Sequence, residues 1–417
     1  MYKKHQMKNK IRIVTEEIPY VNSVSVGIWV KAGSKNEESN NNGVSHFIEH
    51  MLFKGTKKRS AKEIANSIDK IGGQLNAFTS KESTCFYAKV LDSHFDIALD
   101  VLADMFLFSN FAKEEIEKEK GVIIEEINMY EDSPEDLVHD LFSQGVWSSN
   151  PLGMSILGTE GSLNRLDRER ITDYYNRNYL PENIVISVVG NIKHDIIINK
   201  VEKYFGSLTG LENVSPNIEI PVFSPTRITR KKDTEQVHLC LGFEGMETYN
   251  ELFYPMLIMN NIFGGAMSSR LFQKIREDKG LAYSVFSYPS SYLNCGLFSI
   301  YAGMKPTQLK NVTEIIMQEI HEIIDKGLTE EELFDSKEQT KGGYTLGLES
   351  TSGRMISIGK SELMHNKIQT PSEVLEKIDQ VDMDSVNNAI KLIFNLDKIG
   401  GAVIGPLKKN FKLEDIL

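Results

Sequence analysis

"SVSVGIWVKAG", residues 23–33, alternates apolar or β-branched residues with small ones and stops at a glycine, the pattern of a β-strand running into a turn. "QVHLCLGFEG", residues 236–245, has the same form. Each is followed by a long helical segment and then by a glycine-punctuated region with strand character: "GGQLNAFTSKESTCFYAKV" (72–90) in the first half, "GLAYSVFSYPSSYLNCGLFSIYAGM" (280–304) in the second. Each half closes on helices and one more apolar strand, "NIVISVVGNI" (183–192) and "KIGGAVIGPL" (398–407). The opening and closing strands of the two halves are offset by about 210 to 215 residues, the spacing of a duplicated domain rather than of a short solenoid repeat.

The fold class that follows is α+β: two homologous α/β sandwich domains, each a mainly antiparallel sheet covered by helices. Between them "SPNIEIPVFSPTRITRKKD" (215–233) carries three prolines without sustained periodicity and reads as an extended linker. The expected domains are therefore 1–218 and 219–417.

A chain of 417 residues, 41% hydrophobic and 25% charged, has the composition of an ordinary globular protein of two or more domains. No apolar run reaches the roughly 20 residues of a membrane helix. "MYKKHQMKNK" at the start is basic but has no apolar core or small-residue cleavage site, so no membrane association and a cytoplasmic location are expected. Cys85, Cys240 and Cys295 are few, odd in number and scattered, which suits reduced core residues rather than a disulfide framework. A net charge of −11 speaks against nucleic-acid partners and for basic substrates.

"SHFIEHMLFKGT", residues 45–56, holds His46, Glu49 and His50 within five positions. On a helix, i and i+4 share a face, so both imidazoles could meet one ion, with Glu49 in reach of a water beside it. Two histidines are not a complete site, because a catalytic zinc needs a third protein ligand, and such a pair also arises on ordinary amphipathic helices. In "EEIEKEKGVIIEEINMYEDSPEDL" (114–137) Glu119 and Glu126 are seven apart and share a face, and a carboxylate bracketed by Val122, Ile123, Ile124 and Ile127 is expected to point inward and to need a cation. Most of the other acids there read as a solvated face.

"HFIEH" is the His-x-x-Glu-His signature of the inverzincins. Together with "GGQLNAFTS", "VIIEEINMYEDSP" and, in the second half, "GGAMSSRLFQKIREDKGLAYSV" (264–285), it resembles the pitrilysin-type zinc metallopeptidases over essentially the whole chain. The half-size branch that includes the catalytic (beta) subunit of the mitochondrial processing peptidase and its bacterial homologues is the most similar. The resemblance implies one zinc ion per chain, held by His46, His50 and Glu126; Glu49 as general base; and Glu119 as the carboxylate supporting a ligating histidine. Glu125 is adjacent, but only Glu126 keeps the seven-residue relation to Glu119. The resemblance further implies that Asn76, Ala77 and Phe78 lie on an open strand edge that pairs with extended peptide substrates, although a plain core strand with Phe78 buried is compatible with the same residues. Arg276 and Tyr283 match a pair that contacts substrate near the scissile bond; otherwise they are a surface arginine and a core tyrosine. The expected assembly is a homodimer closing a chamber, with Arg276 and Tyr283 of one chain facing the zinc of its partner.

Met154, Ser155 and Ala266 depart from the family pattern without touching a proposed ligand. Two other readings compete. "EDLVHD" puts Glu135 and Asp136 within helical reach of His139, but a di-iron site needs paired Glu-x-x-His motifs. A catalytically inactive scaffold or partner subunit of the same fold is the non-enzymatic alternative. The remaining histidines, His5, His94, His194, His238, His321 and His365, form no close pair in sequence.

Overall fold

The structure is a computed structural model that describes residues 2–210 and 219–416. Residues 215–218 of the expected linker, and with them the residue before the expected domain boundary, lie outside the described residues. The chain forms two compact units, and neither is one continuous stretch. The first comprises Met1–Asn128, Ser155–Ile218 and Leu346–Thr370; the second comprises Met129–Met154, Glu219–Thr345 and Pro371–Leu417. The cut at 218/219 is thus one of five crossings, and each unit includes a segment from the other half of the sequence.

In the first unit six strands, β1 (Tyr2–Gln6), β2 (Arg12–Glu17), β3 (Ser23–Val30), β4 (Gln74–Thr79), β5 (Thr84–Leu91) and β6 (Ile184–Gly190), form a sheet in the order β1-β2-β6-β3-β5-β4. All pairs are antiparallel except β2 with β6. The alternation in β3 divides its side chains between two covered faces. Val24, Val26, Ile28 and Val30 join the main core with Phe47, Phe86, Leu99 and Phe106. Ser25, Gly27 and Trp29 meet the helix Thr351–His365: Ser25 Oγ is 2.9 Å from Thr351 Oγ1, and the Trp29 indole donates to Ser187 Oγ at 2.9 Å. A Cβ at Gly359 would collide with the Trp29 ring, so a glycine is what lets this helix lie against the sheet.

The second unit holds β7 (Arg227–Lys231), β8 (Val237–Gly245), β9 (Ala282–Ser291), β10 (Gly296–Met304) and β11 (Gly400–Gly405) in the order β7-β11-β8-β10-β9. Only β7 and β11 run parallel. Strand for strand this repeats the first sheet without β1, which establishes the duplication and the mainly antiparallel α+β class. The helix Pro134–Val146 covers one face, burying Val138 and Phe142 with Cys240, Tyr301, Ala402 and Ile404. β7 lies within the stretch read as a linker; its residues alternate exposed and half-buried, the pattern of an edge strand. None of the three cysteines forms a disulfide among the described residues, and Cys85 and Cys240 are buried. Among the described residues no helix is long and apolar enough to cross a membrane.

Candidate metal centre

The helix Val44–Leu52 buries Val44, Phe47, Ile48, Met51 and Leu52, which leaves His46 and His50 on one adjoining face with ring centroids 4.5 Å apart. Gly43 precedes it at φ 93°, a left-handed conformation that favours glycine, and offers no side chain to cap the helix. Glu37 does so instead. Its Oε2 accepts from the Gly43 N–H at 2.7 Å and the Asn42 amide at 2.9 Å, and its Oε1 accepts from the Ser45 N–H at 2.8 Å. Burial pushes this carboxyl up to about 7 against those hydrogen bonds, which pull it down.

The long helix Lys113–Glu131 faces the histidines with Ile116, Glu119 and Ile123, all buried, and Glu126 one turn further on. Glu126 Oε2 lies 3.8 Å from His46 Nε2 and 3.7 Å from His50 Nε2. One ligand atom from each of the three residues falls within 4.8 Å of the others, and no other such group of His, Cys, Asp or Glu occurs among the described residues. Zinc bonds to imidazole and carboxylate of about 2.0 to 2.2 Å would span atoms roughly 3.3 to 3.6 Å apart, so the cluster could close on an ion with small side-chain movements. Glu125 is exposed and outside the cluster. The inward carboxylate expected of Glu126 is instead Glu119, only 3% exposed, while the Glu126 side chain is 43% exposed and Val122 is exposed beside it.

Glu119 Oε1 is 2.9 Å from His50 Nδ1, and its Oε2 is 2.8 Å from Lys54 Nζ. Burial raises the Glu119 carboxyl, but hydrogen bonds with His50 and Lys54 outweigh it and hold the group below the usual carboxylate range. Fixing Nδ1 leaves His50 Nε2 free to ligate. His46 is held neutral: burial first, then His50, push it down to about 3, against an opposing pull from Glu119. Its Nδ1 is buried and has no partner among the described residues, and Nε2 is the atom turned toward Glu126.

Glu49 sits on the same helix, with Oε2 accepting from Thr79 Oγ1 at 2.5 Å. Burial raises its carboxyl, opposed by the Thr79 bond and by His50 and reinforced by Glu126. Thr79 ends β4, the edge strand that carries Asn76, Ala77 and Phe78 and pairs only with β5. Phe78 is half-buried against Trp29 and Tyr87, and the Asn76 side chain accepts from the Ala77 N–H at 2.8 Å. Thr79, Lys54 and Glu37 went unsingled by sequence reasoning. Thr79 lies within "LNAFTS", and Lys54 continues the His46–His50 spacing by four more residues.

Arg276 and Tyr283 come together in the second unit, where the guanidinium lies 5.0 Å from the Tyr283 ring centroid and 4.7 Å from that of Phe272. Tyr283 is 76% exposed on the edge strand β9, so it is not a core tyrosine. His139 bonds to the Tyr288 hydroxyl at 2.6 Å and joins no carboxylate cluster among the described residues, which speaks against the di-iron reading.

Residues 12–160 match the family model described as Insulinase (Peptidase family M16), and residues 165–340 match the one described as Peptidase M16 inactive domain. A Bacillus subtilis protein named as an uncharacterized zinc protease is 49% identical over 397 residues, covering 95% of this chain and 97% of its own length. A Streptomyces coelicolor protein of like name is 40% identical over 405 residues, covering 95% and 88%. A protease from Helicobacter pylori has TM-score 0.91 at 21% identity, over 97% of this chain and 100% of its own. The peptidase M16 inactive domain from Pseudomonas fluorescens has TM-score 0.91 at 17% identity, over 98% of each chain. At those identities the two structures speak to the fold alone. With both halves matched in order and nearly the full length shared with close relatives, the chain belongs to the insulinase peptidases, family M16, in their half-size two-domain form.

Proposed function

We propose that the protein is a zinc-dependent endopeptidase that cleaves extended, unstructured and preferentially basic peptides, with one zinc ion per chain. The observation that carries this reading is the convergence of His46 Nε2, His50 Nε2 and Glu126 beside a carboxylate, Glu49, that a hydroxyl holds in place. Two imidazoles and one carboxylate are the donor set that would suit a catalytic zinc. When bound, zinc supplies Lewis acidity, polarising a carbonyl and lowering the pKa of a coordinated water to about 7.

The chain's own residues do the rest. Glu49 accepts a proton at its carboxylate from the attacking water and returns it to the leaving amine. Glu119 keeps His50 in the Nδ1–H tautomer and is itself held ionised by Lys54. The open side of β4 binds substrate backbone through main-chain hydrogen bonds, which favours extended segments and leaves side-chain selectivity loose. Arg276 and Tyr283 stabilise negative charge developing on the scissile carbonyl. Two chains pair around a closed chamber, each presenting Arg276 and Tyr283 to its partner's metal.

The test is hydrolysis of a quenched-fluorescent, unstructured basic peptide by the zinc-loaded protein, with Glu49→Gln assayed beside it. Cleavage that vanishes in the variant is expected. No cleavage by either protein would favour the scaffold reading, toward which the inactive-domain match of the second half points. Equal cleavage by both would remove Glu49 from the mechanism.

A further inference from the structure

At one end of the first sheet the start of β2, the start of β6 and the end of β3 come together beneath the last turn of the helix Thr351–His365, and no residue of the metal cluster lines the space between them. They line a partly open cavity of about 680 Å³, within the usual size range of small-molecule sites. Its wall carries Lys4, Lys10, Arg12 and Lys31 against two acids, Glu182 and Glu362. Glu362, 2% exposed, is already matched: Lys4 Nζ and Arg12 Nη1 both pair with it.

Part of this charge has a structural use. Lys4 Nζ donates to the Asn366 carbonyl at 3.1 Å and Arg12 Nη1 donates to the Glu362 carbonyl at 2.8 Å, both satisfying the negative end of the helix. Lys31 has no such use. Among the described residues its half-buried ammonium makes no ion pair, because the nearby Glu82 is engaged by Lys35. Burial, then the like charges of Lys35 and Arg12, hold Lys31 below its ordinary range, against the pull of Glu82. Burial likewise holds His365 in the same wall down to about 4, opposed by Glu82 and reinforced by Lys31 and Lys360. The Arg12 guanidinium is mostly buried and has only its Nη1 engaged among the described residues, leaving Nε and Nη2 as donors. A concave site where cations repel one another, with donors left over, lacks an anion rather than a cation.

We infer that this cavity is a binding site for a small multivalent phosphate-type anion, held by Lys31, Arg12 and Lys10. Arg12 supplies planar N–H donors matched to phosphate oxygens, and the two lysines supply point charges. An extended acidic peptide would be a different ligand, and the recessed donors of Arg12 and half-buried Lys31 favour a compact anion that can enter the cavity. None of the metal cluster, Glu49 or Thr79 lines the cavity, so the site stands or falls independently of peptidase activity.

The test is calorimetric titration of the full-length, zinc-loaded protein with inorganic pyrophosphate at constant ionic strength. Saturable binding of one pyrophosphate per chain is expected, weakened at least tenfold in Lys31→Gln and restored in Lys31→Arg. Heat from zinc capture by pyrophosphate would be the same in all three proteins and so cannot imitate this pattern. Lys10→Gln, at an exposed turn position, is a second variant that leaves the packed wall untouched, and a several-fold loss is expected from it. Unchanged binding in both glutamine variants, an effect no larger than that of sodium chloride at equal ionic strength, or stronger binding of an oligoglutamate peptide than of pyrophosphate would each overturn the proposal.

Discussion

Thr79 and Glu49 are joined by a hydrogen bond of 2.5 Å, hydroxyl to carboxylate, although thirty residues separate them in sequence. The strand proposed to take up substrate would thereby also orient the proposed base. A hydroxyl bonded to a carboxylate favours the ionised form, so the bond offsets part of the upward push of burial on Glu49. In Thr79→Val that offset is lost and the Glu49 carboxyl rises further. The base must be ionised to act, so the acid limb of kcat/KM moves to higher pH, and kcat at neutral pH falls by about tenfold, the worth of a hydrogen bond to a charged group. A pH profile of the variant, with Thr79→Ser as the conservative control, checks this; an unmoved acid limb would leave Thr79 a merely structural residue.

Glu119 acts through His50, so its removal should be visible in metal affinity before activity is considered. Glu119→Gln keeps the shape but loses the charge, and a fall in zinc affinity of about 10- to 100-fold is expected, measured by competition with a chromophoric chelator. Lys54→Ala should give a smaller loss. The Glu119 carboxyl lies below its ordinary range, so its contribution to the stability of the metal-free fold is present above the unfolded value and is lost as pH falls through the depressed folded value. The gap in melting temperature between wild type and Glu119→Gln should therefore shrink on acidification.

Glu37 has the opposite sign. Its carboxyl, at about 7 in the fold, holds a proton that the unfolded chain has already released at that pH. Stability from this group is thus greatest below the ordinary carboxylate range and declines as pH rises through about 7. Unfolding of the metal-free protein by urea at about pH 5.5 and about pH 8 should show this decline in wild type and its flattening in Glu37→Gln. Glu37→Ala removes the cap of the Val44–Leu52 helix and should cost about 0.5 to 2 kcal/mol at either pH. A decline of the same size in Glu37→Gln would exclude Glu37 as its source.

Much of the architecture was legible because its strongest signals are local. β3, β6, β8 and β11 are buried apolar strands with β-branched residues, and the His46–Glu49–His50 spacing means the same thing in any helix. What stayed hidden depends on partners far along the chain. An amphipathic helix shows that one face is buried but not which sheet buries it, so nothing local assigns Thr351–His365 to the first unit or Pro134–Val146 to the second. β7 is an edge strand with polar residues in a proline-bearing stretch, and its polarity masked its period. An inward carboxylate was expected at Glu126, whereas the buried one is Glu119, because periodicity fixes a shared face and not the depth at which each turn of the helix sits.

The exchange of segments makes its own prediction. Residues 1–218 expressed alone lack Leu346–Thr370, leaving Gly27, Trp29 and Ser187 uncovered. An apolar and polar sheet face opened to water favours association over folding. The fragment should aggregate or unfold without a cooperative transition, and addition of residues 346–370 as a separate peptide should restore one. A fragment that melts cooperatively by itself would show that this helix is dispensable to the first unit.

Arg276 and Tyr283 stand together in a cation–π contact with the tyrosine ring exposed, an arrangement that suits a site waiting for another molecule. Arg276→Ala should lower kcat by roughly 10²- to 10³-fold, the range for removing one donor to a developing oxyanion. Mixing Arg276→Ala with Glu49→Gln, each inactive, separates two arrangements. If each chain completes its own site, every site in the mixture lacks one group and activity stays at background. If the chains share sites across a two-fold interface, one of the two sites in each mixed dimer has both groups, and about a quarter of the wild-type activity returns at equal amounts. Recovery should follow the rate of subunit exchange and disappear at concentrations too low for the chains to pair, so activity measured across a dilution series distinguishes true sharing from residual activity of either parent.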